Sequence, residues 1–245
     1  FFSAINDKTI LVSCMAVNNE IGSVLPVTKI RSAIKRAKSP ALIHSDCVQA
    51  FGKINFTPNT LGADIITVSA HKIHGPKGIG GIYLKSKNII KPYMLGGEQE
   101  NNIFAGTQGT PAIMGFGAAA EDAKDIKGNS EKVLTLKNHL IENIKNLNSV
   151  RINSPEDSIP YILNISISGL PSQPIVNFMS EKNIQISAGS ACKMGHRSPV
   201  LTAMGLDSKT IDSAVRISFS RYNTLDEVEQ LIEAIKEINN KYGKG

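Results

Sequence analysis

The sequence predicts an α/β fold: a mixed, mostly parallel sheet flanked by helices, followed by a smaller C-terminal α+β domain. Short apolar runs of strand length alternate with a helical pattern within about 35 residues, an arrangement that favours parallel pairing. A glycine-rich turn then leads into one more strand. Beyond residue 125 the style changes to longer helices and separated strands, so 1–125 and 126–245 are read as two domains.

The elements follow in order. Thr9 to Ala16 (TILVSCMA) is an apolar run read as a buried strand. Thr28 to Lys38 sets Ile30 and Ile34 on one helical face and basic residues on the other. Ala41 to Ser45 and Asp64 to Ser69 are the next strands, and Gly78 to Lys85 enters a further strand through its glycines. Pro111 suits the first turn of a helix that continues over Ala112 to Ala123. Gly128-Asn129-Ser130 predicts a break, with Ser130 capping a second helix that runs to about Leu147. Tyr161 to Ser168, Asn183 to Ser187 and Ala214 to Ser220 read as strands. Thr224 to Glu227 forms a capping box for a last helix with Val228, Leu231, Ile232 and Ile235 inward.

With 245 residues and 41% hydrophobic content, the chain can bury a substantial core. No stretch approaches the roughly 20 apolar residues of a membrane-spanning helix, so no membrane partner is expected. The net charge is +6, but 21 lysines against 6 arginines lie scattered rather than clustered. That pattern reads as a solvated surface, with no direct nucleic-acid partner expected. Three cysteines cannot form a disulfide scaffold and suit a reduced, cytoplasmic setting. The opening Phe1-Phe2-Ser3-Ala4 has no methionine and no signal-peptide pattern, so the segment reads as cut from a longer protein.

Ser69-Ala70-His71-Lys72 follows a strand directly, with Gly75-Pro76-Lys77-Gly78 behind it. Open α/β sheets bind ligands at the carboxyl ends of their strands, where a partly desolvated lysine becomes a Schiff-base nucleophile. Taken alone, Lys72 reads more readily as a surface lysine. His71 and His74 have no carboxylate or cysteine at ligand spacing, so no resident metal is expected. Asp46 ends the preceding strand in His44-Ser45-Asp46-Cys47-Val48-Gln49. An aspartate and a lysine ending two strands of one sheet are the pair a pyridoxal phosphate enzyme needs, although Asp46 alone reads equally as a helix cap. Cys192 lies in the small-residue run Ser187-Ala188-Gly189-Ser190-Ala191-Cys192 and is followed by Lys193, His196 and Arg197, whose charge lowers a thiol pKa. Cys14 and Cys47 read as packing.

Val17-Asn18-Asn19-Glu20-Ile21-Gly22, Asp46 with Gln49, and Ser69 to Lys72 resemble the cysteine desulfurases of class V aminotransferase type, a fold-type I pyridoxal phosphate family. Gly189 to Cys192 and Ala214 to Ser218 match as well, and the resemblance runs in order along the whole chain. It implies that Lys72 carries the cofactor as a Schiff base, Asp46 pairs with the pyridine nitrogen and Gln49 bonds the phenolic oxygen. It further places Asn19 beside the ring and the bound amino acid, Ser69 and His71 on the phosphate, and Arg216 on the substrate carboxylate. Thr107 resembles the threonine that reaches the neighbouring subunit's phosphate, which implies a homodimer. Cys192 is the implied nucleophile, taking sulfur from L-cysteine as a persulfide and leaving alanine. The acceptor would be an iron–sulfur scaffold or a tRNA-thiolation relay, with a transient iron–sulfur contact through Cys192 compatible with the first. Family members continue N-terminally with a phosphate loop and a ring-stacking histidine that this chain lacks, and Ile103-Phe104 stand where an arginine is often found. A selenocysteine lyase, another aminotransferase-type activity and a non-catalytic scaffold subunit are the rival readings.

Overall fold

In the first two strands, buried and open side chains alternate as the pleat demands. β1 (Leu11–Met15), β2 (Leu42–Asp46), β3 (Ile65–Ser69) and β4 (Gly80–Leu84) form one sheet in that order. β1 pairs with β2 and β2 with β3 in parallel, and β4 runs antiparallel to β3. On β2, Ile43 and Ser45 are buried, while Leu42, His44 and Asp46 point to the other face. The helix Ile30–Arg36 buries Ile30, Ala33 and Ile34, the apolar face the sequence predicts. The β3–β4 pairing needs a glycine at 80, since a Cβ there would stand 2.6 Å from the carbonyl oxygen of Val68.

The computed structural model describes residues 1–86, 89–92, 94–189 and 197–243. The chain divides into two units. Phe1–Val17 with Leu25–Ile126 make the first; Asn18–Val24 with Lys127–Gly245 make the second. The segment Asn18–Val24, which the sequence division puts with residues 1–125, therefore packs with the later part of the chain.

The second unit has its own antiparallel sheet of β5 (Val150–Ile152), β6 (Ile162–Ile167), β7 (Ser187–Ala188) and β8 (Ala214–Ser218), in the order β5-β6-β8-β7. Every residue of β6 is buried. The helix Ile126–Ile144 brings Val133, Leu136, Leu140 and Ile144 inward, and Leu225–Tyr242 brings Val228, Leu231, Ile232 and Ile235. The Thr224 capping box is present with both of its bonds. Three shorter helices, Ser172–Glu181, Pro199–Ala203 and Ser208–Asp212, complete the unit.

Two predicted elements change. The helix predicted to start at Ser130 begins at Ile126 and runs through Gly128-Asn129-Ser130. Glycine and asparagine cost about 1 kcal/mol or less each inside a helix, too little to stop one whose later turns are anchored by buried side chains. The strand predicted over Asn183 to Ser187 is reduced to Ser187–Ala188. Asn183 adopts a left-handed conformation (φ 61°), and Ile184 N–H bonds back to Met179 O at 2.9 Å, so those residues close the preceding helix instead. Among the described residues no helix is long and apolar enough to cross a membrane.

Candidate active site

Because β1, β2 and β3 are parallel, their carboxyl ends share one edge of the sheet in the first unit. Asp46 is the last residue of β2, with its register partner Thr67 two residues before the end of β3. Ser69 closes β3, and a single 3₁₀ turn, Ala70–Ile73, follows at once and carries His71 and Lys72. The turn ends at His74 in a left-handed conformation (φ 71°). Four of the predicted residues are therefore neighbours at one sheet edge: Asp46, Ser69, His71 and Lys72.

Ser69 Oγ and His71 Nδ1 lie 2.8 Å apart. Asp46 Oδ1 accepts the N–H of Val48 at 2.9 Å, so this carboxylate does cap the following turn while remaining exposed. Gln49 is half-buried on that turn, and its Oε1 accepts from Lys53 Nζ at 3.1 Å. Lys72 is half-buried and forms no ion pair among the described residues. Thr107 is exposed, after the positive-φ Gly106.

One residue that sequence reasoning passed over joins this group. His44 stands between two hydroxyls, with Ser13 Oγ at 2.8 Å from Nδ1 and Thr67 Oγ1 at 3.1 Å from Nε2. The three belong to β1, β2 and β3, so the imidazole ties the parallel strands together on the face that carries Asp46. The two-residue spacing from His44 to Asp46 was the available signal, since it places both on one face.

The second unit holds Asn19 and Arg216. Arg216 is flanked on β8 by its register partners Asn164 on β6 and Ser187 on β7. Its Nη2 donates to Ser187 Oγ at 3.3 Å and its Nη1 to the main-chain oxygen of Asn19 at 3.1 Å. Its Nε is buried without a hydrogen-bond partner, and no carboxylate among the described residues pairs with the guanidinium. Asn164, fully buried, donates from Nδ2 to the oxygen of Glu20 at 3.3 Å. The exposed Asn19 thus sits on a turn laid across the polar row Asn164–Arg216–Ser187.

Of the three cysteines, Cys47 is fully buried and Cys14 half-buried, and burial raises both thiols above their usual pKa. Neither is placed as a nucleophile. Cys192, with Lys193 and His196, lies outside the described residues. The flanking positions are described: Gly189 N–H bonds Ala214 O at 2.8 Å, and Arg197 makes a two-pronged bond to Asp212, both contacts at 2.8 Å.

Chemically, the edge in the first unit offers a carboxylate for a cationic ring nitrogen, an amine for an aldehyde, and a hydroxyl and imidazole for an anionic group. That donor set fits pyridoxal phosphate.

The sequence pattern of the family described as aminotransferase class-V matches residues 1–231. The chain is 37% identical over 240 residues to the cysteine desulfurase IscS of Vibrio vulnificus (strain YJ016), covering 96% of this chain and 58% of that protein. It is 33% identical over 240 residues to the mitochondrial cysteine desulfurase of Saccharomyces cerevisiae, covering 96% and 48%. A solved structure of a NifS-like protein superposes with a TM-score of 0.90 at 34% identity, over 98% of this chain and 64% of that one. The NifS-like protein of Rickettsia africae superposes at 0.85 with 33% identity, over 98% and 64%. The chain thus spans less than two thirds of the length of these relatives.

Proposed function

The chain belongs to the aminotransferase class-V family, and from that premise we propose that the protein is a cysteine desulfurase, transferring sulfur from L-cysteine to a cysteine of its own and releasing L-alanine. The observation that carries this reading is the gathering of Asp46, Ser69, His71 and Lys72 at the carboxyl edge of parallel strands. Relatives named cysteine desulfurase support the choice of reaction within the family.

In this reading Asp46 holds a proton on the pyridine nitrogen of pyridoxal 5′-phosphate and Gln49 donates to its phenolic oxygen. Ser69 and His71 would hold the phosphate, and Lys72 would hold the aldehyde end. When bound, the cofactor supplies an electron sink for the α-carbon of the amino acid. Arg216 takes the substrate carboxylate, for which its planar guanidinium fork is suited, while Asn19 lies beside the bound amino acid. Lys72, or another base, would take the α-proton of the bound amino acid. The Cys192 thiolate then bonds the substrate sulfur. The Cβ–S bond would break with its electron pair left on Cβ, and two protons, one taken up at Cβ and the α-proton returned to Cα, would complete alanine. The persulfide on Cys192 passes to an acceptor protein, an iron–sulfur scaffold or a tRNA-thiolation relay. Thr107 reaches the phosphate of a second copy, making the protein a homodimer. The exposed Met94, Leu95, Phe104 and Met114 in the same stretch of chain suit such a partner.

The test incubates the whole protein with pyridoxal phosphate and L-cysteine, without reductant, and weighs the peptide containing Cys192. One added sulfur, absent in Lys72→Ala and in Cys192→Ser, is expected. An unmodified Cys192 peptide from protein that has bound cofactor would overturn the assignment.

A further inference from the structure

The turn bearing Asn19 is held by more than its own main chain. Asn18 Oδ1 accepts the N–H groups of Glu20 and Ile21 at 2.8 and 3.0 Å, and Gly22 N–H bonds Asn18 O at 3.0 Å. Gly22 takes a positive φ (75°), and a Cβ there would stand 3.1–3.3 Å from Ile162 and Ser158, so a side chain at this turn would be strained. Ile159 N–H reaches Gly22 O at 2.9 Å. These contacts fasten the turn to β6 and the loop before it.

A separate tie runs to the other side. Ser198 Oγ donates to Glu20 Oε2 in a short contact. Ser198 is 3% exposed and caps the helix Pro199–Ala203 by accepting from Leu201 N at 3.1 Å. Beside it, Ile21 packs on Leu201, Ile211 and Ala214. Glu20 is thus the polar brace between this helix and the turn whose Asn19 oxygen receives Arg216.

We infer that Glu20 is a positioning residue for carboxylate recognition: through Ser198 on one side and the Asn19 oxygen on the other, it sets where the Arg216 guanidinium stands. This rests on the reading of Arg216 as the carboxylate anchor. A hydrogen bond to an ionised acceptor is stronger than a neutral one, so an ionised Glu20 is a stiffer brace than an amide would be. Its carboxylate is committed to Ser198 and forms no salt bridge with Arg216 among the described residues, which leaves the guanidinium's charge for a ligand.

The test titrates the whole protein, loaded with pyridoxal phosphate, with L-alanine and with ethylamine, its analogue without the carboxylate. Affinity is read from the change in cofactor absorbance. Glu20→Ala is expected to weaken L-alanine about tenfold and leave ethylamine within about twofold. Glu20→Gln, which keeps an acceptor oxygen for Ser198, recovers most of the loss. Ser198→Ala, which removes the same contact from its other end, behaves as Glu20→Ala and decides the matter if that variant does not fold. Arg216→Ala reports on the anchor itself. If Arg216→Ala discriminates between the two amines and the Glu20 and Ser198 variants do not, the positioning role is wrong and the anchor stands. If Arg216→Ala weakens both amines equally, the anchor falls and the positioning role with it.

Discussion

Lys137 lies in the helix Ile126–Ile144 at 4% exposure, with Nζ donating to Ser158 Oγ at 2.7 Å and to Ile159 O at 3.1 Å. Neutral acceptors do not offset the desolvation of a charge, and burial lowers its pKa from 10.5 to about 8. Between those values the unfolded chain holds a proton that the folded chain has released. Stability therefore rises with pH across that window on account of this group. Urea midpoints at pH 7, 8.5 and 10 should show this rise in the wild type and not in Lys137→Met; parallel profiles would refute it. Nothing in the sequence marked Lys137, because a lysine in a helical pattern reads as solvated. Asp46 and Lys72 were legible for the opposite reason: each directly follows or ends an apolar run, and strand ends are where a sheet exposes polar chemistry. The partners of Arg216 were not, since Asn19 and Ser187 lie 197 and 29 residues away from it in the chain.

Among the elements, the helix Ile30–Arg36 is fastened to the first sheet by a charge as well as by its apolar face. Arg31 Nη2 donates to Asp64 Oδ2 at 2.6 Å, Ile43 N–H reaches the same oxygen at 3.0 Å, and Lys85 Nζ stands 3.5 Å from Oδ1. Burial pushes the Asp64 carboxyl up, but the bonds from Arg31 and Ile43 and the charges of Arg31 and Lys85 bring it below its usual range. Its contribution to stability is full above pH 3.8 and is lost as the pH falls through the lowered value. Asp64→Ala leaves the buried N–H of Ile43 unpaired and Arg31 with only its bond to Gly62 O, and should cost about 2 kcal/mol in chemical denaturation. Thr224→Ala removes a cap and should cost about 1 kcal/mol, read the same way. The start of the last helix and its inward face were legible because its cap and apolar spacing agree. The predicted break at Gly128 failed because a local propensity cost of about 1 kcal/mol is too small to stop a helix anchored by its later turns.

For the whole molecule, the proposed homodimer is testable by sedimentation. Leu95 is 90% exposed and Met114 74%, and Leu95→Glu with Met114→Glu should shift a dimer toward monomer at micromolar concentration. An unchanged sedimentation coefficient would remove that face from the interface. The α/β class, the chain order of the four strands of the first sheet and the residue types with chemistry to offer could all be read without the structure. Those features depend on local pattern: hydrophobic period, cap residues, and polar groups at the ends of apolar runs. Only the tertiary structure decided that Asn18–Val24 leaves the unit of its neighbours and packs with the later part of the chain. It also aligned Asn164, Arg216 and Ser187 as neighbours and turned Glu20 to Ser198. Strand register and loop docking are set by the burial of surfaces far apart in the chain, and no local pattern encodes which distant surface is met.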